Sequence, residues 1–173
     1  RDGISSLINS TEGVLFVEMA ALANDGVNRE ISLSSGVYSD TIRIVYSSTD
    51  NRINIIVRKS SSTLISLNVD LENVLNFSKI AFRYSSSGSD VYVGGVLTVS
   101  SLVDVSFPIN TLNTINFNRG DGIAGDFYGK VKQLQVYDTA LTDEQLLQLT
   151  GESGTDFYES YAEMASALTY TIQ

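Results

Sequence analysis

Short runs of β-branched and aromatic residues, broken repeatedly by turn-forming clusters, occupy most of the first 140 positions of this 173-residue chain. Val, Ile, Thr, Tyr and Phe favour extended backbone, whereas Gly, Asn, Asp and Ser favour the tight turns between strands. Many short strands at this spacing are typical of an all-β sandwich or barrel. The pattern predicts strands at residues 14–22, 29–34, 41–46, 52–58, 63–69, 78–84, 91–93, 96–100, 111–116 and 127–137.

Alternation within these strands separates a core face from an outer face, because successive side chains point to opposite sides of a sheet. Ile53, Ile55 and Val57, for example, share one face of a strand whose other face is largely polar. The same alternation places one polar set on outer faces: Arg43, Arg52, Asn54, Arg58, Arg83 and Tyr92. It places an aromatic set in the core: Phe16, Phe82, Tyr84, Phe117, Phe127 and Tyr137.

A short helix is predicted near residues 142–149, directly after the last strand. Thr142 and Gln145 have the spacing of a capping box, in which each side chain binds the backbone N–H of the other residue. Gly151 follows the last apolar residue and is a natural helix stop.

A second, amphipathic helix is predicted near residues 156–168, where apolar residues from Phe157 to Leu168 recur at helical spacing. A short final strand could follow it. We therefore divide the chain into a sandwich at residues 1–150 and a C-terminal helix and strand at residues 151–173. The second part is expected to pack on the sandwich, so that the whole chain forms a single domain.

The residue types that the chain lacks narrow its chemistry. Without His it lacks the commonest general base and the commonest transition-metal ligand, and without Cys it has no thiolate or disulfide. The net charge is −9, and residues 133–173 contain acidic residues but no basic ones, so the basic footprint of nucleic-acid binding is missing. No apolar run approaches the roughly 20 residues of a membrane span. Because residue 1 is Arg, we expect further domains of a longer or processed chain as neighbours.

The segment that starts with the glycine-rich stretch at residues 120–129 is the most specific part of the sequence. A long strand follows through Tyr137, and then come an Ala140-Leu141 turn and the capped helix. This order resembles the closing segment of laminin-G-like domains, which belong to the concanavalin-A-like superfamily. Across residues 12–150 the resemblance implies an all-β fold, a two-sheet antiparallel jelly-roll β-sandwich.

In many members of that family an acidic pair follows the position of Val131 and lies near a calcium site. Lys132-Gln133 stands there in this chain, and a cation is a poor neighbour for a calcium ion. We therefore expect neither the usual calcium site nor another cofactor. A loop site that uses Asp25, Asp121 or Asp126 stays an alternative.

The last residues of the chain carry a second resemblance. The acidic amphipathic segment that ends in Tyr170-Thr171-Ile172 is similar to the segment that closes laminin-G-like domains in some bacteriophage structural proteins. This resemblance implies a virion surface, such as that of a tail fibre, or another extracellular location. A homo-oligomer is an open alternative, because fibre proteins are commonly trimeric.

Catalysis is not expected, although the resembled fold also hosts enzymes. Glycoside hydrolases of this fold carry Glu-x-Asp-x-x-Glu on one strand, and that string is absent here. Lyases of this fold need a His, and so does a serine triad. A glycan-active enzyme is therefore only a minor alternative.

A non-catalytic saccharide-binding face is the functional hypothesis that the residues favour. Arg makes bidentate hydrogen bonds to carboxylate or sulfate, and Tyr offers an apolar ring with a hydroxyl. The polar outer-face set, together with Tyr38 and Tyr128, could thus hold a poly- or oligosaccharide. In the opposing interpretation these residues are a solvated face, and the domain is a purely structural part of a phage fibre or capsid.

Overall fold

Two antiparallel five-stranded sheets pack face to face in a computed structural model that describes residues 7–151. The strands are β1 (Gly13–Ala21), β2 (Arg29–Ser34), β3 (Thr41–Tyr46), β4 (Arg52–Lys59), β5 (Ser62–Asp70), β6 (Ser78–Ser85), β7 (Gly88–Val93), β8 (Val96–Ser101), β9 (Thr114–Asn116) and β10 (Gly129–Tyr137). The first sheet has the order β10-β1-β6-β7-β8, and the second has the order β5-β4-β3-β2-β9. The predicted all-β sandwich is confirmed.

Each strand begins and ends within about three residues of its predicted position. The starts of β7 and β9 differ most, by three residues each: β7 begins earlier, at Gly88, and β9 begins later, at Thr114. The turn after Pro108 carries Asn110 at a positive φ of 64°, and Leu112 is buried in the core. The backbone before β9 is therefore used for a turn and a core contact rather than for strand pairing.

The core lies between the sheets and contains the side chains that alternation assigns to the inner faces. On the second sheet Ile42, Ile44, Ile53 and Ile55 are fully buried, in one cluster with Phe82 of the first sheet. Burying a side chain of this size contributes roughly 1.5–3 kcal/mol to stability. The two apolar faces therefore fix which side of each strand points outward.

A helix, α1 (Asp143–Thr150), follows β10 and confirms the first helix prediction. The side chain of Thr142 accepts a hydrogen bond from the backbone N–H of Gln145, and the Gln145 side chain accepts one from the backbone N–H of Thr142. The N–H of Gly151 closes the last turn on the carbonyl of Leu147. Local capping thus determines both ends of the helix.

The helix covers the outer face of the first sheet. Leu146 is 0% exposed and packs in a second apolar cluster with Val14, Phe16, Ala81 and Tyr92 from the outer sides of β1, β6 and β7. The middle strands of the first sheet are therefore buried on both faces where α1 lies, whereas the second sheet carries no helix among residues 7–151.

Two sequence expectations lie outside the described residues. These are the amphipathic helix near residues 156–168 and the assignment of residues 151–173 to a C-terminal part packed on the sandwich. Within residues 7–151, no helix has the length and apolar character needed to cross a membrane.

Two aromatic assignments are corrected by the fold. Tyr92 points to the outer face of its strand as predicted, but it is only 1% exposed because α1 covers it. Phe117 was expected in the core, yet it is 49% exposed because it lies just beyond β9 and packs only at a tilt against Phe127. The alternation of side chains along β7 predicts correctly that Tyr92 points outward, but it does not predict that α1 buries this side chain.

Replacing Leu146 with Ala is expected to destabilise the domain by about 2–5 kcal/mol, because the change leaves a cavity between α1 and the first sheet. The same substitution at Leu147, which is 41% exposed, is expected to cost less than about 1 kcal/mol and serves as the control. Urea unfolding monitored by circular dichroism measures both values. Equal losses in the two variants would show that the helix does not depend on this contact.

Candidate functional site

The outer face of the second sheet brings three arginine side chains onto one tyrosine ring. Arg43 comes from β3, Arg58 from β4, Tyr38 from the β2–β3 loop and Arg119 from the segment between β9 and β10. The guanidinium carbons lie 4.9, 4.3 and 4.3 Å from the Tyr38 ring centroid for Arg43, Arg58 and Arg119, respectively. These are cation–π distances. We call these four residues the arginine–tyrosine cluster.

A buried ion pair forms the floor of this cluster. Arg43 Nη1 lies 2.9 Å from Glu30 Oε2, and the two side chains are 6% and 5% exposed. Strand pairing explains the contact, because Glu30 is opposite Val45 and therefore diagonal to Arg43 on the same face. A buried charge requires a partner, so Glu30 holds Arg43 in place.

The glycine-rich segment that follows β9 packs on the outer side of β2. Ser32 Oγ donates to the carbonyl of Asn118 at 2.9 Å, and the Glu30 N–H donates to the carbonyl of Gly125 at 2.9 Å. Gly125 permits this approach, since a Cβ atom there would lie 2.8 Å from the Glu30 carboxyl carbon. The segment thereby covers the ion pair and presents Arg119 to Tyr38.

Arg119 is held by its own loop. Its Nε and Nη2 both donate to Asp121 Oδ2, at 3.1 and 2.6 Å. The hydrogen bond from Arg119 is the main cause that lowers the pKa of Asp121, and the same contact raises the pKa of Arg119. Asp121 is therefore an arginine partner, and its carboxylate is not directed at a metal site.

Arg58 is the least compensated charge of the cluster. It donates to the backbone carbonyl of Ser61 and, at 3.3 Å, to Thr63 Oγ1. Among the arginines of residues 7–151, it is the one that forms no ion pair with a carboxylate. Its positive charge is therefore available to an anion.

Two further predicted residues share this face but have partners on the edge strand. Arg52 Nε donates to Asp70 Oδ1 at 2.6 Å, and Asn54 donates to the side chain of Asn68. Together with the cluster they form one polar surface across β3, β4 and β5. The face therefore contains Arg43, Arg52, Asn54 and Arg58, whose outward direction alternation predicts, and Tyr38 lies above it.

Arg83 and Tyr92 do not belong to this surface, and their expected position beside the other arginines is wrong. They lie on the outer face of the first sheet, on the opposite side of the sandwich. Arg83 pairs with Asp90 at 2.6 Å and Asp143 at 2.7 Å, and it donates to the carbonyl of Leu141. Burial raises the pKa of Tyr92 to about 12, with a smaller contribution from its hydrogen bond to Asp143. These residues attach α1 to the sheet.

The remaining residues that the sequence offered as saccharide or metal ligands lie apart from the arginine–tyrosine cluster. Tyr128 is exposed, directly before β10, and takes no part in the cluster. Asp25 pairs with Arg29 at 2.8 Å, and Asp126 is exposed. Within residues 7–151 no three acidic side chains come close enough to hold a metal ion together.

Sequence reasoning missed Glu30 and Arg119 as parts of the site. Glu30 alternates with the buried Ile31 and Leu33, so its outward direction could have been found. Its contact with Arg43 depends on the pairing of β2 with β3, which the sequence does not state. Arg119 comes from a distant loop, and no local pattern indicates its position over Tyr38.

Comparison with known proteins agrees with this architecture. A laminin G family model, described as the concanavalin A-like lectin/glucanases superfamily, matches residues 16–147. The chain belongs to this superfamily. No curated protein matches it.

Solved structures from several organisms share the lectin-like fold. The CBM40 domain of the Ruminococcus gnavus IT-sialidase has a TM-score of 0.65 at 14% identity, covering 82% of this chain and 84% of that one. The NanB sialidase of Streptococcus pneumoniae gives 0.69 at 14% identity, covering 91% of this chain but only 27% of that one. The SAP-like pentraxin of Limulus polyphemus gives 0.63 at 14% identity, with 86% and 74% covered. Identities this low establish a shared fold alone. None of these three is a bacteriophage protein, so the virion setting stays a prediction.

Replacing Gly125 with Ala should separate the glycine-rich segment from β2. The new Cβ would meet the Glu30 carboxyl group at 2.8 Å, and the residue has a positive φ of 72°. Gly122→Ala is the matched control, because its φ is 70° but nothing lies within 4 Å of its added Cβ. The control should lose about 1–2 kcal/mol from φ alone. Gly125→Ala should lose clearly more in the same urea unfolding experiment, and equal losses would contradict the close contact.

The Asp25–Arg29 pair should make stability depend on pH in acid. The hydrogen bond from Arg29 lowers the pKa of Asp25 from its ordinary value of 3.8 to about 2. A lowered pKa means that the carboxylate stabilises the folded state above about pH 4, and that this contribution disappears as the pH falls through about 2. Asp25→Asn should thus lower the melting temperature at pH 7, and its difference from the parent should vanish near pH 2. A difference that stays constant with pH would contradict the ion pair.

Proposed function

We propose that this domain is a non-catalytic carbohydrate-binding module that takes an acidic saccharide on the outer face of its second sheet. The observation that carries the proposal is the convergence of three guanidinium groups on Tyr38, one of which, that of Arg58, forms no ion pair with a carboxylate of residues 7–151. Arg43, Arg58 and Arg119 face only two paired carboxylates, Glu30 and Asp121, which leaves one positive charge for a ligand.

The chemistry of the cluster favours an oxyanion as the recognised group. Guanidinium groups bind carboxylate and sulfate through parallel N–H donors, and hydrogen bonds between charged groups are stronger than neutral ones. The net charge of the protein is −9, so attraction over long distances does not favour an anion. Recognition should therefore depend on direct contact with the cluster, and the adjacent polar surface with Asn54 and Asn68 offers amides to the sugar hydroxyls.

The choice of probe comes from the structural relatives. The Ruminococcus gnavus CBM40 domain has been solved bound to alpha2,3 sialyllactose and to alpha2,6 sialyllactose. Sialic acid carries one carboxylate on a hydroxylated ring, which matches the chemistry of the cluster. These oligosaccharides are therefore the first acidic ligands to test on this chain.

Binding without catalysis is supported by the residues that are missing or already occupied. The chain has no His and no strand with Glu-x-Asp-x-x-Glu. Glu18 and Glu30 are paired with Lys132 and Arg43. We propose an extracellular or virion-surface setting, because a saccharide-binding domain meets the glycans of cell surfaces there.

A structural module is the second candidate. It is supported by three exposed apolar side chains between β8 and β9, namely Leu102, Val103 and Ile109. Side chains of this kind can form an interface with another subunit or with another domain. Sedimentation at increasing protein concentration tests this: self-association that Leu102→Ser weakens would favour the structural module.

Arg58→Ala is expected to weaken binding to sialyllactose about 10-fold or more, because a hydrogen bond between charged groups contributes about 1.5–3 kcal/mol. Arg52→Ala is the matched control, since it lies on the same face of β4 but is paired with Asp70. We expect that variant to change affinity by no more than about twofold. A glycan array identifies the bound saccharides, and calorimetry at low and physiological salt then measures the affinity of each variant.

Acidic glycans should bind better than neutral ones, and more weakly as salt rises. Binding that is equal for neutral and acidic glycans, or that survives Arg58→Ala unchanged, would contradict the proposed site. Absence of binding to every glycan on the array would contradict the carbohydrate-binding function itself.

A further inference from the structure

The outer face of the second sheet contains three buried polar atoms without a hydrogen-bond partner among residues 7–151: Thr41 Oγ1, Arg43 Nε and Arg58 Nε. Thr41 is directly opposite Arg58 in the β3–β4 ladder, and Arg43 is two residues from Thr41 on the same face of β3. All three atoms therefore belong to one patch beneath the arginine–tyrosine cluster.

Unpartnered polar atoms in such a position are unusual. A buried donor that loses its hydrogen bond is destabilising, so most proteins satisfy nearly all of them. Thr41 is fully buried and Arg43 nearly so. Two N–H donors and one hydroxyl on neighbouring positions of one sheet face are the groups that an oxyanion could engage.

Tyr38 covers this patch. Its ring contacts all three guanidinium groups, and its hydroxyl oxygen accepts a long hydrogen bond of 3.5 Å from Arg43 Nη2. With Tyr38 in this position, Arg43 is almost inaccessible to a ligand from outside. The glycine-rich segment also lies over the Glu30–Arg43 pair, but the Tyr38 ring is the cover that contacts both Arg43 and Arg58.

Hydrogen bonds hold the β2–β3 loop at its base and on both sides of its tip, where the Gly36 N–H donates to Ser34 Oγ at 3.0 Å and the Ser61 N–H donates to the carbonyl of Ser39 at 3.1 Å. At the base, the Ser35 N–H donates to the carbonyl of Asp40 at 3.1 Å, and the Ser60 N–H donates to Asp40 Oδ1 at 2.8 Å. At the tip, Gly36 and Val37 are exposed, and no atom lies within 4 Å of the position of a Cβ on Gly36. The glycine has a positive φ of 83°, a conformation that it adopts without strain because it has no Cβ.

We propose that Tyr38 is a lid on an oxyanion site formed by Thr41, Arg43 and Arg58, and that the acidic group of the saccharide displaces its ring. This inference rests on the proposed function and deepens it. In the closed state the three guanidinium groups stack on the ring. In the open state Thr41, Arg43 and Arg58 bind the carboxylate, and the two unpartnered Nε–H groups of the arginines gain an acceptor.

The lid and the alternative role of Tyr38, a platform on which the sugar stacks, predict opposite effects of one substitution. If the ring is a lid, Tyr38→Ala removes a competitor for the site and should strengthen binding of 3′-sialyllactose about 3- to 10-fold, since affinity is reduced by the closed fraction. If the ring is a platform, the same change should weaken binding. Tyr38→Phe separates the ring from the hydroxyl: it keeps the ring and loses the hydrogen bond from Arg43 Nη2, so the lid predicts a smaller gain than for Tyr38→Ala.

Calorimetry with 3′-sialyllactose and with sodium sulfate tests the lid. The forms to compare are the parent, Tyr38→Ala, Tyr38→Phe and the double variant Tyr38→Ala/Arg58→Ala. The lid is supported if Tyr38→Ala binds more strongly than the parent and the double variant loses this gain. It is also supported if Tyr38→Ala binds and the parent shows no binding. Unchanged or weaker binding by Tyr38→Ala overturns the lid but leaves the proposed function intact, provided that the parent binds in an Arg58-dependent way. Absence of binding in every form overturns both.

A second measurement on the parent protein does not depend on the folding of a variant. Nuclear Overhauser contacts between the Tyr38 ring and the δ-protons of Arg58 and Arg119 should be present in the free protein. They should disappear when the protein is saturated with 3′-sialyllactose. Contacts that persist at saturation would show that the ring stays in place, which overturns the lid.

Discussion

The packing of two apolar sheet faces against each other determines where every polar side chain of this domain can lie. Because side chains alternate along a strand, the burial of Ile42 and Ile44 sends Thr41 and Arg43 outward, and the burial of Val57 does the same for Arg58. The β3–β4 ladder then sets Thr41 opposite Arg58. The arginine–tyrosine cluster is thus a direct consequence of the core, to which the loops add Tyr38 and Arg119.

The two outer faces of the sandwich have different roles for a physical reason. The outer side of the first sheet is apolar around Phe16 and Ala81, and it is buried by α1, whose Leu146 completes the cluster. The outer side of the second sheet is polar, and only its β2 side is covered by the glycine-rich segment. Arg83 and Arg58 illustrate the difference: both lie on outer faces, but one pairs with two carboxylates to attach a helix, and the other pairs with none among residues 7–151.

The sequence predicted the strands, the capped helix and the outward direction of residues such as Arg43, Arg58 and Arg83, because these depend on local propensity and on periods of two residues or 3.6 residues. It placed Phe16 in the core, although this side chain lies on the outer face of β1, under α1. It did not predict what covers each outer face. Tyr92 points outward as its alternation requires, yet α1 buries it, and α1 comes from a distant part of the chain. Arg119 reaches Tyr38 for a similar reason, since contacts between distant segments depend on strand order, which local patterns do not contain.

The most direct test of this account is to map the binding surface by nuclear magnetic resonance during a titration with 3′-sialyllactose. The account predicts that the backbone signals of β3 and β4 and the Nε–H signals of Arg43 and Arg58 shift together, while the signals of Arg83 and α1 stay unchanged. Shifts confined to α1 and the outer face of the first sheet would contradict the assignment of binding to the second sheet.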